Sequence, residues 1–213
     1  SFSDGSTITY TYGADGTKLR TVHKIGSTTT TTDYCGNVIY ENGTQKLLLT
    51  EEGYINLAGT QQYHYYLKDH QGNNRVVINR SGTMEETNHY YPFGGVFATA
   101  GNTQPYKYNG KEFDTKKGLN WYDYGARHYD TALGRFMTND RFAEKYYSMS
   151  PYQYGANSPV VNIDVNGDSI RICTETQSFG HTWISVGEGS NMTVYSYGRY
   201  NGTNKGQIEA LIL

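Results

Sequence analysis

Aromatic and polar positions alternate along most of this chain. Tyr-x-Tyr pairs recur at Tyr10/Tyr12, Tyr63/Tyr65, Tyr106/Tyr108, Tyr122/Tyr124, Tyr152/Tyr154 and Tyr195/Tyr197. A period of two puts both rings of a pair on one face of an extended strand. Turn residues follow several pairs: Ala14-Asp15-Gly16 after the first, Asp69 to Asn73 after the second, Asn109-Gly110 after the third. Gly and Asn tolerate the positive φ that a tight reversal requires, so these read as hairpin turns. ITYTYGADGTKLRTV (Ile8 to Val22) therefore predicts strand, turn, strand, and residues 36–43, 45–55 and 74–91 continue the pattern. The predicted class is all-β, a succession of short hairpins.

Composition narrows this further. At 213 residues the chain can bury a core as one or two domains. Its 22 Tyr and 25 Gly suit short strands joined by tight turns, with Tyr burying ring area while its hydroxyl finds water or a partner. A formal net charge of -2 supplies no field for nucleic acid or an anionic membrane. No run of about 18 apolar residues exists, so no helical membrane span is predicted. The chain opens on SFSDGSTITY without a basic or apolar leader and both ends look abrupt, which reads as a segment of a longer polypeptide. Cys35 and Cys173 match no metal-ligand spacing, leaving two thiols or a single bridge. No cofactor or metal motif is evident.

The stretch YHYYLKDHQGNNRVVIN resembles a YD repeat, with Tyr63, Asp69, Gly72 and Arg75 in the repeat's places. Such repeats occur in bacterial Rhs proteins, Tc toxin shell subunits and teneurins. More specific are YYPFG (Tyr90 to Gly94), YKYNGKEFD (Tyr106 to Asp114), GLNWYDYGARHYD (Gly118 to Asp130) and LGRFMTND (Leu133 to Asp140). With AEKYYSMSPYQYGANSPVVNIDVNGDS (Ala143 to Ser169), they follow the order and spacing of the Rhs repeat-associated core in a form similar to Bacteroidetes members. The resemblance covers roughly residues 8 to 170. It implies a spiralling hairpin sheet that forms part of a hollow shell, closed by a core plug, with each strand edge covered by the next turn. Residues 1–105 would be shell, 106–169 the core module and 170–213 the start of a variable C-terminal effector region.

Some members of this family cleave their own chain just after the core. By motif, the resemblance implies Arg127, Asp140 and Asp164 as the aspartyl-protease-like centre, with the bond between Asp168 and Ser169 as the one cut. Two carboxylates held together share a proton, so that one serves as base and the other as acid, and a guanidinium holds the ionised partner. Two departures stand out. Asp140 is followed by Arg141 and Asp164 by Val165 where self-cleaving members carry proline, and Asp168 replaces an apolar residue before the cut. The same residues can also serve as turn caps and an ion pair in a plug. Asp140 and Asp164 are far enough apart in sequence that the Tyr-rich segment between them must double back.

The tail changes character. Phe179 to Gly187, FGHTWISVG, looks like the strand that carries the catalytic His of papain-like NlpC/P60 folds, which would make His181 an effector residue acting on a Cys thiolate. A strand-borne His beside an aromatic is also an ordinary structural residue. Two functions follow from the resemblance. One is a secreted carrier that encloses its own C-terminal effector for interbacterial competition, with a secretion apparatus and an immunity protein as partners. The other is a cell-surface adhesion protein with a teneurin-like shell and no enzymatic activity. A partial shell leaves unpaired strand edges, so the segment alone is expected to aggregate or bind a partner.

Overall fold

Alternation and turn chemistry are realised as one long meander. In the computed structural model, residues 1–145 and 147–168 are described, and beyond them only the backbone of four short strands. Ten strands follow one another as nearest neighbours in an antiparallel sheet. They are β1 (Thr7–Tyr12), β2 (Lys18–Ile25), β3 (Thr28–Cys35), β4 (Val38–Glu41), β5 (Thr44–Leu49), β6 (Gly53–Asn56), β7 (Gln62–Lys68), β8 (Asn74–Asn79), β9 (Met84–Tyr90) and β10 (Val96–Ala100). No α-helix occurs among the described residues.

Four of the hairpins share one turn. At Gly13–Thr17, Asp69–Asn73, Asn79–Thr83 and Tyr91–Gly95 the first N–H donates to the fifth carbonyl, while the fourth residue, always Gly, donates back to the first carbonyl. This is a type I turn followed by a left-handed residue, and Gly16, Gly72, Gly82 and Gly94 all have φ of 76 to 82°. Asp69 and Asn79 reinforce their turns by accepting from the backbone N–H groups two and four residues on. YYPFG is the same device, with Pro92 presetting the first corner.

A second antiparallel meander packs against the long sheet: β11 (Glu112–Asp114), β12 (Trp121–Asp123), β13 (His128–Asp130) and β14 (Arg135–Phe136). The seam between the sheets is polar. Lys18 Nζ lies 2.8 Å from both Glu112 and Asp123, His23 lies 2.8 Å from Asp114, and the hydroxyls of Tyr10 and Tyr34 donate to Asp114 and Glu112. Lys107 and Glu86, the latter fully buried, make a further 2.5 Å pair. The apolar core is almost entirely aromatic: Tyr108, Tyr122, Tyr124, Tyr129, Phe136 and Tyr154. A smaller cluster of Ile39, Leu47, Tyr54 and Val77 lies within the long sheet.

The paired-ring expectation holds in β1 and β7, and Tyr122 and Tyr124 both enter the aromatic core, whereas Tyr152 and Tyr154 part. Tyr63 and Tyr65 are both about two-fifths exposed on β7, as a shared face requires. Tyr108 sits in a 3-10 turn, Tyr124 just past β12, and Tyr152 and Tyr154 in a loop, where Tyr154 is fully buried and Tyr152 is exposed. Here rings are recruited into a core by turns, and strand periodicity no longer governs where they point.

Of the tail, β15 (Asn162–Asp164) pairs antiparallel with β16 (Ile170–Ile172), and strands Thr182–Val186, Thr193–Tyr197 and Glu209–Ile212 form a separate three-stranded sheet. The strand expected beside His181 is thus present, whereas His181 itself, Ser169 and Cys173 lie outside the described residues. Cys35 is an exposed thiol at the end of β3.

Candidate active site at the end of the core module

Three tyrosines fix the frame of the site. The hydroxyls of Tyr108, Tyr129 and Tyr122 donate to the carbonyls of Pro92, Phe93 and Gly94 at 2.8, 2.9 and 3.3 Å, so the second meander and the 3-10 turn before it grip three consecutive residues of the 91–95 turn. Tyr124 and Tyr154 both donate to Asn109 Oδ1, at 2.7 and 2.6 Å. Asn109 has positive φ and its N–H donates to Asn73 in another hairpin turn. The hydroxyls are therefore spent on the chain's own backbone and amides.

At the edge of this cluster Arg127, Asp140 and Asp164 come together. Arg127 leads into β13, is almost fully buried, and lays its guanidinium 3.8 Å from the centroid of the Phe136 ring. Its Nη2 donates to Asp140 Oδ2 at 2.9 Å and lies 3.8 Å from Asp164 Oδ2, so both carboxylates address the same nitrogen. Nη1 donates to the Pro151 carbonyl at 3.0 Å, and Nε donates to the Gly167 carbonyl. The required doubling back is present: Asp140 N–H donates to Pro151, Phe136 N–H to Tyr152, and Arg135 bridges to Gln153.

Asp164, at the end of β15, accepts from the Gly167 N–H at 2.6 Å. Both backbone polar groups of Gly167 are thus pinned, the N–H by Asp164 and the carbonyl by Arg127, immediately before Asp168. Gly167 has φ of +86°, and a Cβ there would come within 2.9 Å of the Arg127 backbone nitrogen. Burial pushes the Asp164 carboxyl up to about 6, against the opposing pull of the Gly167 N–H and the Arg127 charge. Asp140 accepts from the Phe142 N–H at 2.8 Å. A cavity of about 530 Å³ opens beside the site, lined by Arg127, Asn139, Arg141, Asn166, Asp168 and the β1–β2 turn.

Sequence reasoning brought forward Arg127, Asp140, Asp164 and Asp168 and passed over their supports: Pro151, Phe136, Gly167, and an ion pair between Arg141 and Asp168 at 2.7 Å. Only the last had a visible signal, the opposite charges at two of the three positions that depart from the family pattern. Among the described residues no His, Cys, Asp or Glu group is arranged to hold a metal ion, and no helix is long and apolar enough to cross a membrane.

No protein-family model matches the chain. It is 37% identical over 119 residues to salivary gland surface protein 1 of Aedes aegypti, covering 54% of this chain and 3% of that protein. It is 30% identical over 110 residues to the uncharacterised protein YibJ of Escherichia coli (strain K12), covering 50% of this chain and 46% of that protein. Among solved structures, a TcdB2-TccC3-TEV crystal structure superposes with a TM-score of 0.66 at 20% identity, over 78% of this chain and 9% of that one. The Photorhabdus luminescens Tc holotoxin pore gives 0.66 at 19% identity, over 83% of this chain and 10% of that one. The chain therefore spans less than half the length of the proteins it matches. Its all-β fold is Rhs-like, similar to that of these Tc toxin shells.

Proposed function

We propose that the chain is the closing part of an Rhs-like β-shell that carries its own C-terminal region as an effector, and that its core module cuts the chain after Asp168. Residues 1–105 contribute wall, residues 106–169 the plug and cutting module, and the region from residue 170 the cargo. Export to a competing cell, a secretion apparatus and an immunity protein belong to this reading. The observation that carries it is the convergence of Asp140 and Asp164 on one Arg127 nitrogen while Gly167, one residue from the bond to be cut, is held from both sides.

The chemistry follows from the asymmetry of the two carboxylates. Asp140, hydrogen-bonded to the Arg127 guanidinium, is the ionised partner, and Asp164, raised by burial, keeps the proton in mildly acidic solution. Asp140 takes a proton from water as its oxygen bonds to the Asp168 carbonyl carbon, and Asp164 gives its proton to the carbonyl oxygen. On collapse the Asp140 proton passes to the departing Ser169 nitrogen, and the diol proton returns to Asp164. The C–N bond breaks with one water consumed. Arg127 holds Asp140 and the Gly167 carbonyl in place throughout.

Intact-mass measurement of the purified protein tests this. The expected result is a cut after Asp168 that is lost in Asp140→Asn and in Asp164→Asn, and that slows above about pH 6 as Asp164 loses its proton. One uncut species, the same in all three proteins, would sink the cleavage reading. A surface role without cutting is the second reading, supported by the likeness to the Aedes aegypti surface protein. It gains if the uncut chain is found intact on the cell exterior.

A further inference from the structure

We propose that Arg141 is the residue that lets this core module accept an acidic side chain before the bond it cuts, by neutralising the Asp168 carboxylate. The inference rests on the self-cleavage reading above. Arg141 Nη2 lies 2.7 Å from Asp168 Oδ2, and the Asp168 side chain is only 2% exposed although Arg141 is 58% exposed. A carboxylate taken out of water needs a counter-charge or it protonates.

Position makes this pairing matter. Arg141 directly follows Asp140, so one short segment delivers both the ionised carboxylate and the charge that masks Asp168. Its guanidinium also lies 4.9 Å from the Phe142 ring centroid, which narrows where it can point. The charged groups acting on Asp164 include Arg127, Lys111 and Asp168, the last working against its ionisation. The cutting pair needs one negative carboxylate and one protonated one. An unmasked Asp168 would add a further negative charge beside the pair and disfavour the ionised carboxylate that serves as base. Arg141 and Asp168 also share the wall of the cavity beside Arg127.

Arg141 is thus a positioning and specificity residue, and its effect must depend on the charge at 168. Time courses by intact mass on the purified protein, with Arg141→Ala, Asp168→Asn and the double variant, form the test. Arg141→Ala alone is expected to slow the cut by about tenfold, and in the Asp168→Asn background to change it by less than about twofold. An equal effect in both backgrounds, or none in either, overturns the inference. Asp140→Asn separates the two claims, because a chain cut normally without Asp140 overturns the self-cleavage reading itself. Carboxyl carbon NMR supplies a readout that needs no cutting. Arg141→Ala should raise the midpoint of the Asp164 titration, and Asp168→Asn should abolish that shift. If the midpoint does not move, the inference fails whether or not the chain is cut.

Discussion

The Tyr108 ring lies flat across Gly94, so close that a Cβ on Gly94 would fall 2.6 Å from a ring carbon. Gly94 lies in the turn between β9 and β10 and Tyr108 in the 3-10 turn before β11, and their contact sets how near the 91–95 turn approaches the aromatic core. Gly94→Ala would meet both this ring and a φ of +82°. The expected loss exceeds about 2 kcal/mol, from left-handed strain and displaced packing together. Denaturant unfolding checks it, and a loss no larger than that of Gly95→Ala, whose Cβ has room at 3.6 Å, would contradict the argument.

The same turn predicts graded losses from its hydroxyl donors. Tyr108→Phe and Tyr129→Phe each remove a donor to a carbonyl in the turn while keeping the ring. Each is expected to cost about 1 to 3 kcal/mol, because a desolvated carbonyl loses its partner. Tyr122→Phe, whose bond is 3.3 Å, should cost least. Measured midpoints that rank Tyr122→Phe as the worst would count against the turn grip.

Glu86 predicts a different signature. It is fully buried and accepts from Lys107, from Asn88, from the Thr103 N–H and from Gln104. Lys107→Met should destabilise by about 3 to 5 kcal/mol, since it leaves that carboxylate without its cation. Adding Glu86→Gln should recover part of the loss, because the amide oxygen still accepts while the charge is gone. Purely additive losses in the double variant would show that the pair does not act as a unit.

How much of this could be read from the residues divides by the range of the contacts. Alternation and the Asp/Asn-to-Gly turns made the all-β meander legible, because a hairpin is decided within about ten residues. Arg127, Asp140 and Asp164 were legible only through their likeness to a known core. Nothing local says that the segment around Pro151 folds back to place them. The tyrosines show the limit most clearly. Tyr10 and Tyr12 keep strand alternation, whereas Tyr108 and Tyr154 escape it because each ring's place is set by Asn109 and Pro92, partners found only once the sheets have packed. Glu86 and Lys107 likewise look like ordinary surface charges until burial makes them a pair.

Asp164 gives the pH-dependent prediction. Burial raises its carboxyl from the ordinary 3.8 to about 6. Between those values the folded chain binds a proton that the unfolded chain has released, so stability falls as pH rises. The favourable contribution is complete below about pH 4 and gone above about pH 6, a change of about 3 kcal/mol at 1.36 kcal/mol per unit. Asp164→Asn keeps an acceptor for the Gly167 N–H and removes the titration. Relative to the parent, this variant should therefore gain stability as pH rises from 4 to 7, while Asp114 and Asp123, whose carboxyls are held low by their partners, titrate alike in both proteins and cancel. Paired unfolding curves across that range decide it. A difference that stays flat with pH would mean that Asp164 is ionised throughout, and the acid assigned to the cutting step would have to be another group.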